Sequence, residues 1–208
     1  MLPIILLSTI AAVQAVSLPR QDAAASSPAA VSGGSPVFIA CVQDAKIPSL
    51  TQSIAVNASS REECSVTCSS SSSQHDLAFF RQDTLECYCS SSADAPTSDE
   101  IVYATDELGN CRSQDDASVE YLHSTYKFSE CVLPPLTPST SNFSTSDPIE
   151  CLKNCSNSSS TIVIRPEYDG DNDKFEYDCQ CYDSTQDQIQ TGQKTDCGFG
   201  IESIYTKA

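Results

Sequence analysis

The chain contains two stretches of one pattern, Ser60-Arg61-Glu62-Glu63-Cys64-Ser65-Val66-Thr67-Cys68 and Asp147-Pro148-Ile149-Glu150-Cys151-Leu152-Lys153-Asn154-Cys155. Each stretch predicts a short helix, because Ser60 and Asp147 are favourable N-cap residues and a glutamate follows three residues later, as in a capping box. Pro148 occupies the first helical position, where its missing N–H is no loss. The two cysteines of each stretch lie four residues apart and therefore share one helical face.

A second pair of cysteines follows each predicted helix, in Cys87-Tyr88-Cys89 and in Cys179-Gln180-Cys181. A spacing of two residues places both sulfur atoms on one face of a β-strand. The pattern therefore predicts that a helix is bridged twice to a strand, and that this happens once in each half of the chain.

The repeat extends to all 12 cysteines. A phenylalanine lies three residues before the first cysteine of each set, and a Ser-x-Tyr motif follows the last. Two tandem copies of one module are the simplest explanation. The two sets are Cys41, Cys64, Cys68, Cys87, Cys89, Cys111 and Cys131, Cys151, Cys155, Cys179, Cys181, Cys197.

Disulfide bonds are the predicted use of these cysteines. Copies of about 80 to 90 residues are small for a self-sufficient core, and secreted modules of this size are commonly cross-linked, each bridge contributing about 2 to 4 kcal/mol. Metal binding is the competing use, but the chain has no C-x-x-C motif and only two histidines. We therefore predict no metal and no cofactor. Spacing alone leaves many pairings open.

The segment Leu77–Cys89, with the sequence LAFFRQDTLECYC, follows a Glu-Cys-x-x-x-Cys helix and resembles the WSC domain of fungal cell-wall sensors and secreted fungal proteins. The final Ser-x-Tyr motif fits as well. That family is similar in fold to PAN/apple modules, in which one helix crosses an antiparallel sheet. The resemblance implies an α+β fold with two disulfide-rich modules, at residues 36–128 and 129–208.

The resemblance also implies the disulfide pairing, with nested bridges between helix and strand and one bridge that closes the ends of each module. The implied pairs are Cys64 with Cys89, Cys68 with Cys87, Cys151 with Cys181, Cys155 with Cys179, Cys41 with Cys111, and Cys131 with Cys197.

The N-terminal residues predict export from the cell. Residues 1–15 form a short apolar run that ends in small residues, as in a secretory signal peptide cleaved after Ala15. Residues 16–35 are rich in Ala, Ser, Pro and Gly and predict a disordered leader, with a pro-segment as the alternative. The apolar run of residues 1–15 is too short to span a bilayer, and no stretch elsewhere in the sequence is apolar over a membrane length. We expect a secreted, extracellular protein that does not enter a membrane.

Three sequons, at Asn57, Asn142 and Asn157, are candidate glycosylation sites in polar stretches. The acidic stretch 168–173 has aspartates at alternate positions and suggests calcium. However, Lys174 and Gln180 stand where an EF-hand needs Gly and Glu, so the stretch favours a solvated hairpin turn.

The acidic balance excludes two classes of partner. With 28 acidic and 11 basic residues, the net charge is −17, which opposes binding to nucleic acid or to an anionic membrane. The two histidines, His75 and His123, lack a recognisable nucleophile or paired carboxylates, so we predict no catalytic residues and no enzyme activity. The sequence leaves the oligomeric state open.

Four residues beside the strand cysteines are the candidate glycan-binding residues: Glu86, Tyr88, Asp178 and Tyr182. They are expected to point away from the helix, where a carboxylate beside an aromatic ring offers a sugar both hydrogen-bond acceptors and an apolar face. The alternative interpretation is that both tyrosines pack in the core. The family resemblance implies a non-catalytic module that binds cell-wall polysaccharide. Copy one should carry the site, because copy two has Gln180 in place of Tyr88. A secreted, effector-like protein that binds a host or cell-surface protein is the second hypothesis.

Overall fold

The computed structural model describes residues 34–47, 54–72, 74–104, 110–134, 138–155, 159–186, 189 and 192–208. The predicted signal peptide, almost all of the predicted leader and the Asn157 sequon lie outside the described residues. Within the described part, no helix is both long and apolar enough to cross a membrane.

The fold consists of antiparallel strands with two α-helices, as the α+β prediction requires. In the first half, helix α1 spans Arg61–Ser71, and the strands are β1 Ser35–Val42, β2 Ile54–Asn57, β3 Leu77–Arg81, β4 Glu86–Ser90, β5 Ile101–Val102 and β6 Ala117–Ser124. In the second half, helix α2 spans Pro148–Asn154, and the strands are β7 Tyr126–Val132, β8 Ser141–Thr145, β9 Thr161–Asp169, β10 Lys174–Tyr182 and β11 Glu202–Lys207. Short 3₁₀ turns cover Asp44–Lys46, Ser92–Asp94 and Ser98–Glu100.

The predicted caps begin both helices. The Ser60 hydroxyl accepts a hydrogen bond from the Glu63 amide at 3.2 Å, and the Asp147 carboxylate accepts one from the Ile149 amide at 2.8 Å. The Glu63 carboxylate reaches back to the Ser59 amide at 2.7 Å, one residue earlier than a standard capping box. The N-caps therefore act where they were predicted, whereas the glutamate carboxylates contact Ser59 and Thr145 rather than the N-cap residues.

The two sheets have the same strand order. The first runs β2-β4-β3-β6-β1-β5 and the second β8-β10-β9-β11-β7, so every strand of the second sheet has a counterpart and only β5 is additional. The change of sheet occurs at Thr125, between β6 and β7. The predicted boundary after residue 128 therefore falls inside β7, three residues into the second sheet.

The two sheets enclose a shared buried core, and of the two helices only α2 packs into it. Ile149 and Leu152 of α2 lie in one buried cluster with Phe79 of the first sheet and Tyr177 of the second. The Tyr177 hydroxyl donates to the backbone carbonyl of Pro96 at 2.7 Å and so links the two halves. Helix α2 therefore lies between the sheets.

Helix α1 packs on the opposite face of the first sheet, over a separate buried cluster. That cluster contains Ala58, Cys64, Cys68, Ala78, Phe80, Cys87, Cys89 and Leu122. As a result, the face of the first sheet that lacks a helix is buried in the molecule, whereas the corresponding face of the second sheet is turned outward.

All twelve cysteines are bonded in pairs, and the pairing corrects the nested order implied by the family resemblance. The end-closing bridges are Cys41–Cys111 and Cys131–Cys197, as expected. The helix-to-strand bridges join first to first and second to second. They are Cys64–Cys87, Cys68–Cys89, Cys151–Cys179 and Cys155–Cys181.

The correction has a geometric reason. Four helical residues advance about 6 Å and two strand residues about 6.6 Å, so the cysteine spacings match whichever way the helix crosses the strand. In-order bridges require helix and strand to run in the same general direction at the crossing. The nested order requires opposite directions.

Candidate functional site

Glu86 and Tyr88 lie together on β4, but both side chains already contact other residues of the same chain. The Tyr88 hydroxyl donates to Glu86 Oε2 at 2.9 Å, and its half-buried ring packs against the core between the sheets. Arg81 is 3.6 Å from the same carboxylate and 3.1 Å from Asp44. Hydrogen bonds from Thr84 and then Tyr88 lower the pKa of Glu86. This pair is therefore already part of an internal charge network.

Asp178 and Tyr182 lie on the outward face of the second sheet, and Tyr182 does not form a binding surface there. Its side chain is only 3% exposed, in a cluster with Val163 and Ile204, and its hydroxyl donates to Gln180 Oε1 at 2.8 Å. Burial raises the pKa of Tyr182 to about 12. The prediction of Tyr182 as a ligand contact is corrected, because the ring fills the core instead.

The two candidate glycosylation sites that the structure describes lie on corresponding edge strands. Asn57 ends β2 and Asn142 lies on β8, and these are edge strands of the first and second sheets. Both side chains are exposed, as the attachment of a glycan requires.

The acidic stretch forms the turn between β9 and β10, as predicted. The Asp169 carboxylate accepts hydrogen bonds from the amides of Asp171 and Asn172 at 2.9 and 3.3 Å. Among the described residues, the one close group of potential metal ligands is Cys64, Cys68 and Cys87, and these sulfur atoms are consumed by disulfide bonds. In this turn the Asp169 carboxylate is engaged by backbone amides of the same chain.

The first half also contains a cavity of about 370 Å³ that the sequence analysis missed. It lies at the N-terminus of α1, against the turn between β3 and β4, and is closed by residues 110–116. The Cys41–Cys111 bridge ties that loop to β1. The volume falls in the range of small-molecule sites. The lining residues are Ser59, Ser60, Arg61, Glu62, Phe80, Gln82, Leu85, Asn110, Cys111, Ser113, Asp116 and Ser118.

The lining combines neutral hydrogen-bonding groups with a small apolar wall. Serine hydroxyls and the amides of Gln82 and Asn110 can both donate and accept, whereas Phe80 and Leu85 supply apolar surface. The Ser118 Oγ atom is buried in the floor without a hydrogen-bond partner in the described structure. Leu85 has a positive φ of 56°, a conformation that is strained for leucine, and it is exposed.

A buried charge network holds the mouth of the cavity in place. Arg61 is 3.1 Å from Glu120, which is buried and also accepts a hydrogen bond from Ser65 of α1. Burial raises the pKa of Glu120, with Ser65 and Arg61 opposing the shift. This network anchors the first turns of α1 to β6, so the cavity is built on a rigid corner.

The carboxyl groups at the cavity differ in their surroundings. Burial raises the pKa of Asp116. The side chain of Glu62 is 76% exposed, and its pKa is lowered by hydrogen bonds that the carboxylate accepts from the Glu62 backbone amide and from Ser60. Neither histidine lines the cavity. The cavity thus presents acceptors, donors and one paired guanidinium, with no imidazole base.

Comparison with protein-family models, with curated proteins and with solved structures gives no match. The resemblance to WSC domains therefore stays a sequence-based hypothesis.

Proposed function

We propose that the protein binds a cell-wall polysaccharide outside the cell, without altering it chemically, and that the cavity at the N-terminus of α1 holds part of the sugar chain. The observation that carries the proposal is the lining of this cavity. Hydroxyl and amide groups surround the apolar wall formed by Phe80 and Leu85. A pyranose ring needs this combination, because it has hydroxyls at its edge and an apolar face.

The charges favour a neutral or basic polysaccharide over an acidic one. Glu62 and Asp116 line the cavity, and Arg61 is already paired with Glu120. The net charge of −17 would repel a polyanion at a distance. Six disulfide bonds are consistent with an oxidising, extracellular compartment.

The test is retention of the purified, oxidised protein on insoluble β-glucan, chitin and xylan. We expect retention on at least one of them. A Gln82→Ala/Asp116→Asn variant removes the Gln82 amide and replaces one carboxylate of the cavity by a neutral amide. If one hydrogen bond to the ligand is lost at each position, retention should fall roughly 30-fold, since each lost hydrogen bond costs about 1 kcal/mol. The matched control is Gln74→Ala/Asp183→Asn, which removes the same residue types from exposed positions that do not line the cavity.

Four results would overturn parts of the proposal. If none of the polysaccharides retains the parent protein, or if both variants lose retention equally, the cavity is not a polysaccharide site. If Tyr88→Ala abolishes retention and the cavity variant does not, the ligand binds at Glu86 and Tyr88, as the sequence alone predicted. Release of new reducing ends by the parent protein would contradict binding without chemical change.

A further inference from the structure

A second surface lies at the end of the hairpin formed by β9 and β10. Tyr168 and Phe175 face each other across the hairpin and are each 46% exposed, although large exposed apolar side chains are expected to be scattered singly. Their ring centroids are 5.0 Å apart, and Phe199 adds a third ring 5.9 Å from Phe175. We call Tyr168, Phe175 and Phe199 the aromatic patch.

Negative charge borders the aromatic patch. Asp169, Asp171 and Asp173 form the adjoining turn, and the Tyr168 hydroxyl donates to the Asp173 carboxylate. Hydrogen bonds from Asn172 and from backbone amides lower the pKa of Asp169, so this carboxylate remains charged into the acid range. The nearby cation, Lys174, pairs with Glu176 at 2.5 Å.

Next to the patch, a tyrosine and an aspartate of the same chain already bind an arginine side chain. Arg112 lies over the ring of Tyr103, with its guanidinium carbon 5.2 Å from the ring centroid, and donates to Asp196 at 2.8 Å. The Tyr103 ring packs directly on Gly198, where even a Cβ atom would lie 2.3 Å from it, and Gly198 precedes Phe199. An exposed tyrosine and an aspartate thus hold a guanidinium beside the patch.

From this comparison we infer that the aromatic patch and the acidic turn bind an arginine-bearing segment of a basic partner protein. In the described part of the chain, cation–π contacts involve Phe38, Tyr103 and Tyr121, and none involves the patch. A guanidinium matches both components, because it stacks on aromatic faces and pairs with carboxylates. This inference is independent of the proposed polysaccharide site.

The ring geometry favours a protein partner over a basic polysaccharide. The planes of Tyr168 and Phe175 are inclined by 57°, and those of Phe175 and Phe199 by 64°. Such rings do not form a common flat platform on which successive sugar rings could stack. They do offer separate faces to individual cationic side chains.

The test measures fluorescence anisotropy of a labelled short peptide of alternating Gly and Arg, titrated with the oxidised full chain at about 150 mM salt, where non-specific attraction is screened. The same peptide with citrulline for arginine removes the charge and keeps the shape. A labelled glucosamine oligomer represents the basic polysaccharide. We expect binding of the arginine peptide and weaker or no binding of the other two.

Two variants and one control separate specific recognition from ion exchange. Tyr168→Leu/Phe175→Leu leaves the net charge and apolar bulk in place and should weaken binding roughly five- to tenfold. Asp171→Asn should weaken it as well. Asp183→Asn removes one exposed charge at the opposite end of β10 and should have little effect. An equal effect of Asp171→Asn and Asp183→Asn, full binding by the leucine variant, or preference for the glucosamine oligomer would each overturn the inference.

Discussion

Replacing Glu202 by Gln is expected to stabilise the protein at neutral and alkaline pH. Glu202 lies on β11 inside the second sheet and is only 2% exposed. Its Oε2 atom has no hydrogen-bond partner in the described structure. Burial raises the pKa of this carboxyl group; Arg165 opposes the shift and Asp178 adds to it. Arg165 retains Glu167 at 2.6 Å and Asp178 at 3.4 Å when Glu202 is replaced.

The magnitude follows from the charge on the unpartnered oxygen. Glutamine keeps a polar atom at this buried position, so the substitution relieves only the additional cost of the charge, on the order of 1 kcal/mol. In a protein of this size, 1 kcal/mol corresponds to about 2 to 4 °C in Tm. The variant should therefore melt roughly 2 to 4 °C higher than the parent at about pH 8.

The advantage should shrink as the pH falls. Because the pKa of Glu202 is higher in the folded chain than in the unfolded chain, the folded state binds the proton more tightly, and the parent gains stability as the pH falls through the folded value toward the unfolded value of about 4.3. Burial raises the pKa of several other carboxyl groups, which strengthens the same trend in the parent. These are Asp94, Asp116, Glu120, Asp147 and Glu167.

Thermal unfolding followed by circular dichroism, from about pH 8 to about pH 4.5, checks this prediction. Asp183→Asn is the control, because it removes one exposed charge from the same half of the chain. If the Glu202→Gln variant melts below the parent at about pH 8, or if Asp183→Asn produces the same gain, the buried carboxylate is not the source of the instability.

Two further predictions concern the architecture. Peptide mapping without reduction should recover Cys64 with Cys87 and Cys68 with Cys89, and the in-order pairs of the second half likewise; recovery of the nested pairs would contradict the helix direction described above. Tyr177→Phe should lower the free energy of unfolding by about 0.5 to 1.5 kcal/mol in denaturant titrations, because it removes the 2.7 Å hydrogen bond to Pro96 between the two halves. The control, Tyr168→Phe at an exposed position, should lower it less. Equal losses in the two variants would argue against this link.

The elements that local rules control were predictable from the sequence. The caps at Ser60 and Asp147, the helical spacing of four and the strand spacing of two led to two helices bridged to two strands, and the structure confirms these elements. Each of these signals is carried by residues close together in the chain. The same strand order in both sheets agrees with the repeat of the cysteine pattern.

The direction of the helix crossing was not predictable in this way. The cysteine spacings fit both directions, and the Sγ atoms of Cys68 and Cys87, which belong to different bridges, are only 3.5 Å apart. The choice between pairings therefore depends on the path of β3 between α1 and β4, which no short motif encodes. The family resemblance implied the nested order of bridges, whereas the structure shows the in-order bridges.

The cavity was missed for a related reason. Its walls come from the start of α1, the turn after β3, residues 110–116 and Ser118 of β6, which are distant in sequence. None of these segments carries a sequence motif typical of a ligand-binding site. The positive φ of Leu85, which indicates a local constraint at this turn, is visible only in the structure.

The two halves differ in surface because of how they pack, even though their strand order is the same. Helix α2 lies in the shared core, so the helix-free face of the first sheet is buried there, and the half-buried Tyr88 packs against this core. The corresponding face of the second sheet is turned outward, but Tyr182 and Ile204 are buried there in a separate small cluster. Equivalent strand positions in the two halves therefore cannot form equivalent ligand sites. The candidate surfaces lie instead at the ends of elements, where α1 begins and where β9 turns into β10.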